Sequence, residues 1–99
     1  MTTYRTAKRP HRIDTSQPAI ILALQAAGCT VIDTSGVGAG YPDLTVIRPD
    51  GTVVLVECKT PGDAEIKPAQ LELMLRMVNQ NYRIFSTPEQ AAANITNWS

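Results

Sequence analysis

Histidine and cysteine are scarce in this 99-residue chain, which has one histidine, His11, and two cysteines, Cys29 and Cys58. A lone histidine in a basic stretch gives no footing for Ser/His hydrolysis or for a histidine-based nuclease. The cysteines stand far apart, outside any CxxC or Cys/His spacing, so no zinc site is expected and nothing requires an oxidising compartment. No run of about 18 apolar residues is present to span a membrane, and the basic N-terminus lacks the apolar stretch of a signal peptide. A cytoplasmic protein without a membrane partner is therefore expected.

Net charge is missing as well, since nine Lys and Arg balance nine Asp and Glu. The balance hides an asymmetry. Arg5, Lys8, Arg9 and Arg12 lie in the first twelve residues with no acid among them, leaving the remainder acidic. A basic arm ahead of an acidic body suits contact with a polyanion such as DNA, and a solvated terminus explains it equally well. The apolar share, 43%, is ordinary for one soluble domain with a single core. The arm spans residues 1–13 and a single domain spans 14–99.

Along that domain the pattern predicts the order α-β-β-β-α-β-α, an α/β fold with a central mixed sheet flanked by helices. Asp14-Thr15-Ser16 offers N-caps for a helix carrying Ile20, Ile21, Leu24 and Ala27 on one stripe, with Gly28 as its stop. A short strand over 30–34 leads into the glycine-rich stretch Ser35–Gly40. Pro49-Asp50-Gly51 then separates strands over 44–48 and 52–59. Val53-Val54-Leu55-Val56 is apolar at every position, which predicts a strand covered on both faces. Pro68 opens a helix over about 68–80, residues 82–85 form a strand, and Pro88 begins a last helix.

The chemistry concentrates at Asp43, Glu57 and Lys59. Residues two apart on a strand share a face, so Glu57 and Lys59 point one way and Cys58 the other. A two-residue hairpin loop would set Asp43 against Cys58. A three-residue loop centred on Asp50 instead pairs Ile47 with Val53, Thr45 with Leu55, and Asp43 with Glu57, roughly 5 Å apart. Two facing carboxylates repel unless a cation lies between them. Hard oxygen ligands suit Mg²⁺ or Mn²⁺, to which the Cys58 backbone carbonyl can add a donor. Lys59 can orient or help deprotonate an attacking water and offset charge growing on a phosphorane. The alternative is an exposed cluster of surface charges. Gly38 and Gly40, just before Asp43, give the loop freedom to approach a DNA backbone, or serve as a plain linker.

These residues resemble the VRR-NUC family of the PD-(D/E)xK, restriction-endonuclease-like nucleases. The resemblance runs over residues 14–87 and rests on Gly40-Tyr41-Pro42-Asp43, Glu57-Cys58-Lys59 and Pro68-Ala69-Gln70 in that order. It implies a DNA endonuclease dependent on Mg²⁺ or Mn²⁺. Asp43 and Glu57 would be metal ligands, Lys59 the catalytic lysine, and Gln70 a helix residue supporting the site. The family's further acid on the first helix would fall to Asp14, which reads equally as an N-cap. Lys67 stands where related sequences often have a capping threonine. Small stand-alone members look like homodimers acting on branched DNA such as four-way junctions, and a C2 dimer supplies two sites for two strands. On the 68–80 segment, Leu71, Met74, Leu75 and Val78 form a stripe that Leu73 and Met77 widen, serving either the core or a subunit interface.

Two readings of other kinds compete. A non-catalytic DNA- or junction-binding module would keep the fold without cutting, and a structural or inhibitory partner protein would bind protein without metal. The glycines of 36–40 do not open a helix, because Pro42 and a β-rich segment follow, so a dinucleotide-binding turn is excluded.

Overall fold

A computed structural model describes residues 16–60, 66–77 and 81–96. The element order is α1 (Gln17–Ala26), β1 (Thr30–Asp33), β2 (Leu44–Ile47), β3 (Val53–Cys58), α2 (Pro68–Arg76), β4 (Tyr82–Phe85) and α3 (Pro88–Thr96). Arg5, Lys8, Arg9, Arg12 and Asp14 lie outside the described residues, as do Val78 and Trp98. The four strands form one mixed sheet in the order β1-β2-β3-β4, with β1, β2 and β3 antiparallel and β4 parallel to β3. Among the described residues no helix is long and apolar enough to cross a membrane.

Local chemistry sets the boundaries. Helix α1 ends in a Schellman motif. Gly28, at φ +92°, donates to the Gln25 carbonyl, and Cys29 donates back to Leu24. The β2–β3 hairpin closes through Arg48 and Thr52 around Pro49, Asp50 and Gly51, with Gly51 at φ +90°. That odd-length loop pairs Ile47 with Val53, Thr45 with Leu55 and Leu44 with Val56. It is the register that carries Asp43 toward Glu57.

The core lies on one face of the sheet. Val31, Leu44, Val46, Val54, Val56, Cys58 and Phe85 meet Ile20, Ile21 and Leu24 of α1 and Ala91 and Ile95 of α3. The expectation that β3 is covered on both sides is not met among the described residues. Val53 is 49% exposed and Leu55 half-buried, so continuous apolar sequence there does not mean two packed faces. Helix α2 departs further from expectation. It stops at Arg76, short of residue 80, and none of its side chains is buried. Leu71 and Leu75 stand 46% and 67% exposed. Of the stripe predicted here, Leu71 and Leu75 face outward while Leu73, Met74 and Met77 are half-buried.

Candidate active site

The site forms where β2 begins, β3 ends and α2 starts. Beyond the Leu44–Val56 pair the backbone ladder between β2 and β3 gives way to side-chain bonding. Asp43 Oδ2 accepts the Cys58 N–H at 2.9 Å, while the Asp43 carbonyl accepts the Thr34 N–H at 2.8 Å on the β1 side. The Asp43 carboxylate thus closes the hairpin's open end and sits across from Glu57. Cys58 turns its own side chain into the core, as period-two alternation requires.

Glu57 is 4% exposed. Its Oε2 accepts from Gln70 Nε2 at 2.8 Å and lies 3.4 Å from Lys59 Nζ, whereas Oε1 is buried without a partner. Burial, then the neighbouring charge of Asp43, push the Glu57 carboxyl up to about 7, against the opposing pull of Lys59 and the Gln70 hydrogen bond. The Lys59 ammonium also reaches Gln70 Oε1 at 3.4 Å. Gln70 therefore touches both charged residues from the first turn of α2.

Gln70 has a second task. Its Oε1 accepts the Lys67 N–H at 3.1 Å, half of a capping box. Lys67, an ammonium, has no acceptor with which to return the bond.

The glycine loop has its own reason. A Cβ built on Gly40 would lie 2.6 Å from the Ala69 carbonyl carbon, and Gly40 holds φ +79°. Its close approach is to the first turn of α2, which sets Gln70 against the site. Gly38 differs, because a Cβ there meets nothing within 4 Å.

The N-terminus of α1 joins from below. Ser16 has helical dihedrals and makes no side-chain cap; its hydroxyl instead donates to the Lys59 carbonyl at 3.1 Å. Asp33, a buried acid on β1, is satisfied structurally. Its Oδ1 accepts from the Ser35 N–H and hydroxyl, and its Oδ2 accepts from Gln17 Nε2.

Tyr82 is a neighbour that the sequence reading missed. It pairs with Leu55 across the parallel β3–β4 contact, in the row next to Glu57 on the same sheet face. The residue is 8% exposed, its hydroxyl is buried without a partner, and burial with the charges of Glu57 and Asp43 raises the phenol to about 12. A tyrosine in a four-residue strand reads as ordinary β propensity, and parallel pairing with β3 leaves no short-range signal.

Among the described residues no group of three or more His, Cys, Asp or Glu side chains is suited to holding a metal. Two carboxylates are enough for Mg²⁺ or Mn²⁺, which keep several waters and take the rest of their ligands from phosphate. The buried, unpartnered Glu57 Oε1 beside Asp43 fits such an ion, because a buried carboxylate oxygen calls for a compensating partner.

A VRR-NUC domain model matches residues 8–86 of the chain. A solved structure described as a VRR_NUC domain is similar in fold, with a TM-score of 0.70 at 28% sequence identity, covering 85% of this chain and 94% of that one. No curated protein matches this chain. With residues 8–86 matched and the overall fold shared, the chain belongs to the VRR-NUC domain family, a family of nucleases.

Proposed function

We propose that this protein is a Mg²⁺- or Mn²⁺-dependent DNA endonuclease acting on branched DNA such as four-way junctions, and that it works as a homodimer. One observation carries the reading. A buried carboxylate with an unpartnered oxygen stands beside a second carboxylate, with a lysine ammonium 3.4 Å away. That arrangement is costly for a structural cluster and suited to a cation with a phosphate on it.

Asp43 and Glu57 would hold the ion, and the Cys58 carbonyl and Asp14 are further candidate donors. The bound ion supplies Lewis-acid stabilisation of the phosphate and a more acidic water. Lys59 orients the attacking water and meets charge on the non-bridging oxygens. Gln70 fixes Lys59 and Glu57 relative to each other through bonds of 3.4 and 2.8 Å. Arg5, Lys8, Arg9 and Arg12 extend the contact to phosphates further along the DNA, a sequence-independent and salt-sensitive contribution. Gly38, in open space at the loop before Asp43, leaves room for a backbone to come close.

The dimer rests on α2, a helix with no buried side chain whose exposed Leu71 and Leu75 recur with helical spacing. A contact between copies would cover them and give a branched substrate two active sites.

The test is cleavage of a four-way junction and of linear duplex in Mn²⁺, Mg²⁺ or EDTA. Junction cutting with either metal, none in EDTA and none by Lys59→Ala is the expected outcome. Metal-independent junction binding by the wild type without any cutting would overturn it in favour of a binding module.

A further inference from the structure

Two buried side-chain polar atoms at the active-site corner lack a partner among the described residues: Glu57 Oε1 and the Tyr82 hydroxyl. They sit in adjacent rows of one sheet face. Tyr82 lies beside Leu55, two residues before Glu57 on the same strand face. Both residues are more than nine-tenths buried.

An unpaired hydroxyl and an unpaired carboxylate oxygen, both shielded from solvent, each carry a desolvation cost that nothing offsets. Their coincidence at a corner holding two carboxylates marks a place prepared for something polar. A hydrated divalent ion brings the missing partners, because its waters donate strongly and their oxygens accept from a phenol.

We propose that the Tyr82 hydroxyl is a positioning residue of the active site, hydrogen-bonded to a water in the coordination shell of the cation held by Glu57 and Asp43. The inference rests on the metal-dependent reading above and adds a residue to it. In this arrangement Tyr82 touches neither the DNA nor the ion. It fixes one coordinated water and, through it, the orientation of the Glu57 carboxylate. Partners of this outer kind usually alter metal affinity by about 10- to 100-fold when removed.

Tyr82→Phe deletes one oxygen and keeps the ring, so the test is Mn²⁺ titration calorimetry of wild type and variant, with thermal unfolding of each in EDTA and in saturating Mn²⁺. The expected result is about tenfold weaker Mn²⁺ binding by the variant. Its stability in EDTA should equal or exceed that of wild type, because an unpaired hydroxyl has gone, while its stabilisation by Mn²⁺ is smaller. A tyrosine ultraviolet difference signal on Mn²⁺ addition should appear in wild type and vanish in the variant. Equal Mn²⁺ affinity of the two proteins overturns the role of Tyr82 and leaves the metal site standing. A loss of stability in EDTA also overturns it, by giving the hydroxyl a purely structural task. Wild type that binds no Mn²⁺ sinks the metal reading and this inference together.

Discussion

Substituting Glu57 by glutamine should make the metal-free protein more stable in alkaline solution and leave it unchanged in acid. The carboxyl is raised from 4.5 to about 7 in the folded protein, chiefly by burial and by Asp43. A raised acid contributes stability that is fully present below its unfolded value, near 4.5, and that disappears as pH climbs to about 7. Wild type in EDTA should therefore weaken across that window and level off above it. Two and a half pH units correspond to about 3 kcal/mol at most, and solvent relaxation around the site brings the expected loss to about 1–3 kcal/mol. Glutamine is the nearest mimic of the protonated carboxyl and keeps an acceptor for Gln70 Nε2. It should escape that loss, raising the melting temperature at pH 8 by roughly 5–15 °C. The assay is thermal unfolding of both proteins in EDTA from pH 4 to 8.5, where the difference between them cancels every titration they share. Two outcomes would refute the reasoning: a stability gap that is the same at pH 4.5 and pH 8, or no gap at either.

Asp43→Asn retains an oxygen to accept the Cys58 N–H and removes the charge pressing on Glu57; calorimetry should show Mn²⁺ affinity down at least tenfold with the fold intact. Gly40→Ala drives a Cβ into Ala69 backbone and strains a φ of +79°, so urea unfolding should register a loss of about 1–3 kcal/mol, whereas Gly38→Ala, facing open space, should lose about 1 kcal/mol. Leu75→Glu, at a position 67% exposed, should leave monomer stability within about 0.5 kcal/mol of wild type and shift sedimentation from dimer to monomer; a variant that still sediments as a dimer would place the subunit contact elsewhere.

The hairpin register was legible because a three-residue loop leaves one pairing that brings two acids face to face, and Gly51 at positive φ realises it. The order of elements was equally readable from proline openings and the glycine stop at Gly28. Coverage of the sheet was not. Val53 through Val56 is apolar on both sides, yet the packed side follows from where α1 and α3 lie, which the strand's own sequence cannot specify. The length of α2 was overestimated because apolar spacing continues to residue 78 while the last turn tightens at Met77, whose N–H returns to Met74. Tyr82 escaped notice for a related reason: its place beside the carboxylates depends on parallel pairing of strands separated by a helix.

The double bonding of Gln70 has a consequence for how the molecule responds as a whole. Nine residues make a helix too short to persist alone, and α2 has no buried side chain to hold it. Its anchorage is the first turn, where one amide caps the helix and also grips Glu57 and Lys59. Any change in the charge at Glu57 therefore alters the grip on α2, and any force on α2 alters the charge balance at Glu57. Thermodynamic reciprocity follows: a partner docked on the outer face of this helix and an ion held in the corner beneath it would tune each other's affinity by the same factor.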